Sequence, residues 1–375
     1  MGSTLSKLTA SADISIDMAS SNLRLVQGSY NKKSRLLQIE KSSIIPLEAE
    51  TITDGVISDQ FGVVMSLKNT LAKLDISAKK AILTTEGSFL HTKDLELPAV
   101  KADQLRDMVQ YEILGQGGTS KDMLVEYIIY GSFVDEESKQ TKYRVRATAI
   151  PRDIAVDLRE LMKTGALSPI ALDVNPNAVR KLFRSGLING QTNIETNTLL
   201  LIELSGRTTN VTVLDKGFPV LTRRLQFGHN NIRQVAESIK KVQSNAADKS
   251  SILTRRLQVV KGENVKAMNI SDIDVWNETV KEEPALNSAV TSYFKSLTDA
   301  VSRTAQFSIS KYHLDSISTC FLYGSGALYK KMDKELSRQL GTQVEVLTSL
   351  STVVAPKDFE LAEYVNACGA LIRES

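Results

Sequence analysis

Apolar residues in this chain fall into short runs, and two of these runs share one design. Residues 199–202, Leu-Leu-Leu-Ile, are an uninterrupted apolar run of the kind found in a strand covered on both faces. Glu203 follows, then the small polar turn Ser205-Gly206-Arg207-Thr208-Thr209. The alternation of Val211 and Val213 starts a second strand, stopped by Asp215-Lys216-Gly217. Near the N-terminus, Ile14-Ser15-Ile16-Asp17-Met18-Ala19-Ser20-Ser21-Asn22-Leu23-Arg24-Leu25-Val26 has the same order of strand, acid, polar turn and strand. Two such hairpins far apart predict two similar halves facing one cleft. A third apolar segment, 317–323, ends at Gly324-Ser325-Gly326-Ala327, ahead of a helix predicted from Leu328. Glycines at a strand-to-helix turn let bare backbone approach a phosphate or a nucleoside.

Elsewhere the period changes. Residues 58–73 read as a helix, with Val63, Val64, Leu67, Leu71 and the following Leu74 at helical spacing, and 81–83 reads as a short buried strand. A smaller α/β unit is predicted over 80–171. It has strands at 89–97, 124–132 and 143–150, helices at 102–114 and 153–163, a hairpin loop at 135–142 and a flexible joint at 115–118. A helix at 175–185 and a polar linker at 186–197 lead into the central hairpin. Residues 231–312 read as mostly helical, with helices at 232–242 and 289–308 around a charged, poorly periodic stretch at 246–283. A helix at 328–340, a strand at 344–347 and a helix at 361–372 close the chain. Residues 1–11 are polar and are expected to be disordered.

Candidate chemistry sits at the strand ends. Asp17 and Glu203 suit two acids that orient a Mg²⁺-bound water, and they suit equally two strand-end acids on exposed turns. The hydroxyls of Ser20, Ser21, Thr208 and Thr209 serve either phosphate binding or ordinary turn chemistry. His91, His229 and His313 are scattered, without metal-ligand spacing, and read as packed or solvated side chains. The basic pairs Lys79-Lys80, Arg223-Arg224 and Arg255-Arg256 lack interleaved aromatics, so nucleic acid is not an expected partner.

The three elements, in this order, resemble the actin-like ATPase superfamily and, within it, the PilM family of type IV pilus assembly. Residues 17–24 look like the first phosphate loop, 203–209 like the second, and 324–327 like the adenosine loop. Leu97-Pro98 before a helix holding Tyr111-Glu112, Ala149-Ile150-Pro151-Arg152, and Leu172-Asp173-Val174 add to the likeness. The resemblance implies an α/β, actin-like (ribonuclease H-like) two-lobed fold with an inserted subdomain of the FtsA/PilM type. The first lobe would comprise 12–79 and 172–196 with the closing segment 356–375, and the insertion 80–171. The second lobe would comprise 197–230 and 313–355, with 231–312 as its helical subdomain. Ser20, Ser21, Arg24, Gly206, Thr208, Thr209, Gly324, Ser325 and Gly326 would hold ATP, with Asp17 and Glu203 reaching Mg²⁺ through water.

The chain departs from that pattern. Ala19 and Ser205 stand where the family has glycine, Arg24 where it has lysine, and Glu203 where it has aspartate. A Cβ at a glycine position narrows the room for phosphate, and a guanidinium is a planar fork rather than a point charge. The resemblance therefore implies a cytoplasmic scaffold with little ATP hydrolysis. It would bind the cytoplasmic tail of a PilN-like inner-membrane protein between the first lobe and the insertion, with pilus motor or platform components as further partners. Two other readings stay open: an active ATPase or sugar kinase of the same fold, and an FtsA-like filament-forming division protein. Ser375 follows directly on the closing helix, without the membrane-binding extension expected of the latter.

Composition narrows the setting. A length of 375 residues exceeds what one core usually serves. Net charge is only +3, so no strong field toward nucleic acid or membrane is expected. Two cysteines, Cys320 and Cys368, fit a reducing compartment better than a disulfide framework. No apolar run approaches the roughly 20 residues that span a bilayer, and no signal-peptide core is present, so contact with the membrane is expected only through a partner.

Overall fold

The computed structural model describes residues 13–18, 22–48, 50–115, 122–232, 234–235 and 284–373. The chain divides into two units. One comprises 1–182, 353–359 and 366–375, the other 183–352 and 360–365.

The first unit runs β1 (Asp13–Met18), β2 (Asn22–Asn31), β3 (Leu36–Pro46), the small pair β4 (Ile52–Thr53) and β5 (Val56–Ile57), α1 (Gln60–Lys73) and β6 (Lys80–Thr85). It continues through β7 (His91–Pro98), α2 (Ala102–Leu114), β8 (Met123–Val134), β9 (Thr141–Pro151), α3 (Arg152–Thr164), β10 (Ser168–Val174) and α4 (Asn175–Leu182). Its main sheet has the order β10-β6-β1-β2-β3, ended by the short strand Val353–Val354. The period of two in β1 sorts its side chains by face. Ile14, Ile16 and Met18 join a core with Val63, Val64 and Leu67 of α1 and Leu158, Leu161 and Met162 of α3. Burying each such aliphatic side chain contributes about 1.5–3 kcal/mol. Ser15 faces the other way and donates its hydroxyl to the Ala367 carbonyl at 2.6 Å. The Asp59 side chain caps α1 by accepting from the Gly62 N–H at 2.9 Å.

β7, β8 and β9 form a separate sheet in the order β7-β9-β8. Leu95, Leu97, Val145 and Ala147 pack one face of it on Leu105 and Val109 of α2. The predicted 80–171 unit is therefore too wide. β6 and β10 pair in parallel within the main sheet, and α3 packs in its helical layer, which leaves only β7 to β9 with α2 apart. A sequence pattern shows strands but not which sheet recruits them.

In the second unit, β11 (Leu187–Ile188) and β12 (Thr192–Asn193) make a hairpin where a linker was expected. Asn189 and Gly190 supply the positive φ angles its turn needs, 51° and 74°. The main sheet has the order β15-β14-β13-β16-β17, with β13 (Thr198–Leu204), β14 (Thr209–Asp215), β15 (Phe218–Leu225), β16 (Thr319–Tyr323) and β17 (Val344–Val346). β13 is buried along its whole length between β14 and β16, which its continuous apolar run requires. The long helix α5 (Pro284–Tyr312) covers this sheet with Val290, Phe294, Leu297 and Val301. After β16 the chain makes a 3₁₀ turn, Ser325–Leu328, and only then α6 (Met332–Leu340), so the helix predicted from Leu328 starts later. The last helix, α7, is Leu361–Leu371. The expected tail 1–11, joint residues 116–118, most of helix 232–242 and the stretch 246–283 lie outside the described residues, as do Ala19, Ser20 and Ser21.

Candidate functional site

The two described candidates beside the first turn, Asp17 and Arg24, are both buried. Asp17 is buried at the end of β1, with the Asn366 side-chain amide 3.4 Å from its Oδ2. Arg24 is not on the turn but within β2, buried and directly opposite Asp17 in the ladder. The two therefore share one face of the sheet as cross-strand neighbours of opposite charge.

Around the second turn, side chains are committed to one another. Glu203 accepts from Asn210 Nδ2 at 2.8 Å, its cross-strand partner, and lies 3.4 Å from Ser205 Oγ. The Thr209 hydroxyl is fully buried and donates to the Phe227 carbonyl at 2.9 Å. The Ser205 N–H donates to the Thr208 carbonyl, closing the turn, and His229 and Asn230 donate their backbone N–H groups to Ser205 and Gly206. A Cβ on Gly206 would strike the Asn230 side chain.

The third turn has its own reason for glycine. Gly324 sits at φ +83°, and a Cβ there would meet the Leu204 carbonyl oxygen at 2.8 Å. A Cβ on Gly326 would meet His229 Cδ2 and Leu204 Cβ, both at 2.8 Å. Ser325 Oγ lies 2.9 Å from His229 Nε2. Of the nucleotide residues expected in this unit, only Thr208 keeps a half-buried side chain with no role in this packing. Thr209 and Ser325 already have hydrogen-bond partners within the protein, and a Cβ on Gly206, Gly324 or Gly326 would point at its own atoms. Among the described residues no group of three or more His, Cys, Asp or Glu side chains converges as a metal site.

An open site lies instead within the first unit. The face of the small sheet turned away from α2 carries Leu124, Glu126 and Ile128 of β8 opposite Ile150, Thr148 and Arg146 of β9. With Leu172, Asp173 and Val174 of β10 and Pro176 and Asn177 of α4, this face lines a groove of about 350 Å³. β8 and β10 are each the terminal strand of their sheet. The charges of the groove are compensated internally. Arg146 makes a bidentate contact to Asp94 at 2.8 and 3.0 Å, and Asp173 accepts from Lys181 at 2.7 Å and Asn177 at 2.8 Å. Glu126 is the exposed carboxylate on this wall. The sequence implied a partner groove beside the insertion, and marked Ile150, Leu172, Asp173 and Val174 only as family-like residues without assigning them to it. Their signal was the alternation at 124–128 and 146–150, whose solvent face carries Leu124, Ile128 and Ile150 among its polar residues.

The family model for type IV pilus assembly protein PilM matches residues 15–256. The chain belongs to the PilM family. Its fold is the actin-like one that the sequence implied. A solved PilM-PilN type IV pilus biogenesis complex matches with TM-score 0.69 and 14% identity, over 96% of this chain and 97% of that one. The ethanolamine utilization protein EutJ from Carboxydothermus hydrogenoformans matches with TM-score 0.51 and 12% identity, over 97% and 90%. MreB5 of Spiroplasma citri, solved bound to ADP, matches with TM-score 0.44 and 13% identity, over 96% and 95%. Among the described residues no helix is long and apolar enough to cross a membrane.

Proposed function

We propose that this member of the PilM family is a cytoplasmic scaffold that holds the N-terminal tail of a PilN-like inner-membrane protein in the groove between β8, β9, β10 and α4. The observation that carries the reading is the groove itself, an apolar surface bordered by two terminal strands. Terminal strands offer main-chain donors and acceptors to an extended peptide, and pockets between them take its apolar side chains. The solved PilM-PilN complex, alike in fold, supports a partner of this kind. Recruitment to the inner face of the membrane then follows from the tail, without a spanning segment in the described residues. ATP, implied by the superfamily, has no part in this reading.

A fluorescent peptide of ten to twenty residues from the tail of such a protein tests it. A contact of that size should have a Kd of about 1 μM, since much of the burial is offset by ordering the peptide. Leu172→Asp should weaken it at least tenfold, as losing one buried leucine contact does. Equal affinity for the parent and Leu172→Asp would overturn the assignment of the groove.

A further inference from the structure

The second unit contains a histidine that the scaffold reading does not use. His229 is buried, with 1% of its surface exposed. Both ring nitrogens are engaged: Nδ1 lies 3.2 Å from the Tyr329 hydroxyl and Nε2 2.9 Å from Ser325 Oγ. Tyr329 packs edge-on against the ring at 5.3 Å between centroids. A neutral imidazole carrying its proton on Nε2 satisfies both contacts, with Tyr329 donating to Nδ1 and Nε2–H donating to Ser325. The ring also touches the bare backbone of Gly326. Its own backbone N–H holds Ser205, and the next residue, Asn230, fills the space over Gly206.

We propose that the segment 227–230 is an internal substitute for a ligand. On this view His229 is a strut that fills the space over the third turn and ties it to the second, so that nucleotide is not needed to organise this unit. The groups that a nucleotide would engage are the ones the segment has taken. Gly206 is covered by Asn230, the Thr209 hydroxyl by the Phe227 carbonyl, and Ser325 and Gly326 by the His229 ring. A nucleoside meeting Gly326 from the side its Cβ would occupy would have to displace the imidazole from a buried position where it makes two hydrogen bonds. That displacement has a cost, because the Tyr329 and Ser325 hydroxyls would lose the imidazole partner they have in the buried state. None of these residues lines the groove of the first unit, so partner binding there is independent of His229.

The test begins with the parent protein. Titration with ATP and Mg²⁺ to about 1 mM should show no saturable heat and no change in hydrogen exchange over residues 198–215 and 319–329. Saturable binding with a Kd below about 100 μM, or slowed exchange in those segments, overturns the proposal. The second arm is His229→Gly, which leaves an imidazole-sized space facing two hydroxyls. Its melting temperature should fall by about 6–12 °C, the size expected for removal of a buried ring in a unit of this length. Free imidazole at tens of millimolar should restore at least half of that fall while leaving the parent unmoved. A fall that imidazole does not reverse, or an equal rise in the parent, overturns the strut. Should the glycine variant not fold, His229→Phe replaces it, filling the space without the hydrogen bonds. An unchanged melting temperature for that variant would overturn the role given to Tyr329 and Ser325.

Discussion

The groove of the first unit and the turns of the second are built from similar parts, namely strand ends, a paired acid and small polar side chains. In the groove, Asp173 is neutralised by Lys181 and Arg146 by Asp94, and these pairs lie in its walls, so an apolar surface stays open between them. In the second unit, Glu203 is held by Asn210, Ser325 by His229, and Gly206 and Gly326 lie under Asn230 and His229. Satisfying a polar group inside a wall preserves a site, whereas satisfying it across the mouth fills one. The residue types alone do not distinguish the two cases.

The sharpest way to break the comparison is to charge the open surface. Ile128→Arg places a guanidinium on the groove wall beside Arg146, its cross-strand neighbour. Partner affinity should fall by about 100-fold, since the peptide would have to bury an unpaired charge. Fluorescence anisotropy measures the loss, and a fall of less than about threefold would move the contact elsewhere.

Overpacking the filled turn should act on stability instead. Gly326→Val puts a branched side chain where His229 and Leu204 already touch, which should destabilise the second unit by about 1–3 kcal/mol. Each unit carries one buried thiol to report this, Cys320 in the second and Cys368 in the first. Burial pushes the Cys320 thiol up to about 12 and raises Cys368 also, so native alkylation requires opening. The variant should alkylate at Cys320 about tenfold faster, at an unchanged rate at Cys368 and with unchanged partner affinity. Equal acceleration at both thiols would show that the strain is not local.

A smaller change is expected from Glu203→Ala. It removes the acceptor of the Asn210 amide and should lower stability by about 1–2 kcal/mol, with partner affinity within about twofold of the parent. Steady-state ATP turnover should stay at background in both proteins. A parent rate of about one per second that this variant abolishes would restore the catalytic reading of the acid.

The smallest effect concerns pH at the rim of the small sheet. Hydrogen bonds from Lys142 and then Ser138 hold the Asp135 carboxyl far below the usual range. A depressed acid contributes its stability above its unfolded pKa, about 3.9, and loses it only as pH falls through the lower folded value. The group is half-buried beside solvent, so the contribution is small. Partner affinity should therefore be flat between pH 5 and 8, and a step in that window would point to a titrating group in the groove.

How much of this was legible in the chain depends on the range of the interactions involved. The apolar run 199–202, the alternation after it and its echo at 14–18 determined the hairpins and, by their order, the actin-like fold, because local period decides which face of a strand is buried. The Asn189-Gly190 hairpin reads as a linker in the sequence, because its polar composition masks the turn signal. The acids Asp17 and Glu203 were correctly placed at strand ends, but their buried amide partners Asn366 and Asn210 come from 349 and 7 residues away. Only the tertiary structure decided that β6 and β10 join the main sheet, which shrinks the insertion and sets β10 and β8 on the walls of one groove. Only it brought His229 across 96 residues to Ser325 and set its ring where a Cβ on Gly326 would lie. Sequence period encodes what a residue is next to along its own element. Which distant side chain fills the space above it is settled by how the elements pack, and that choice separates an open site from a closed one.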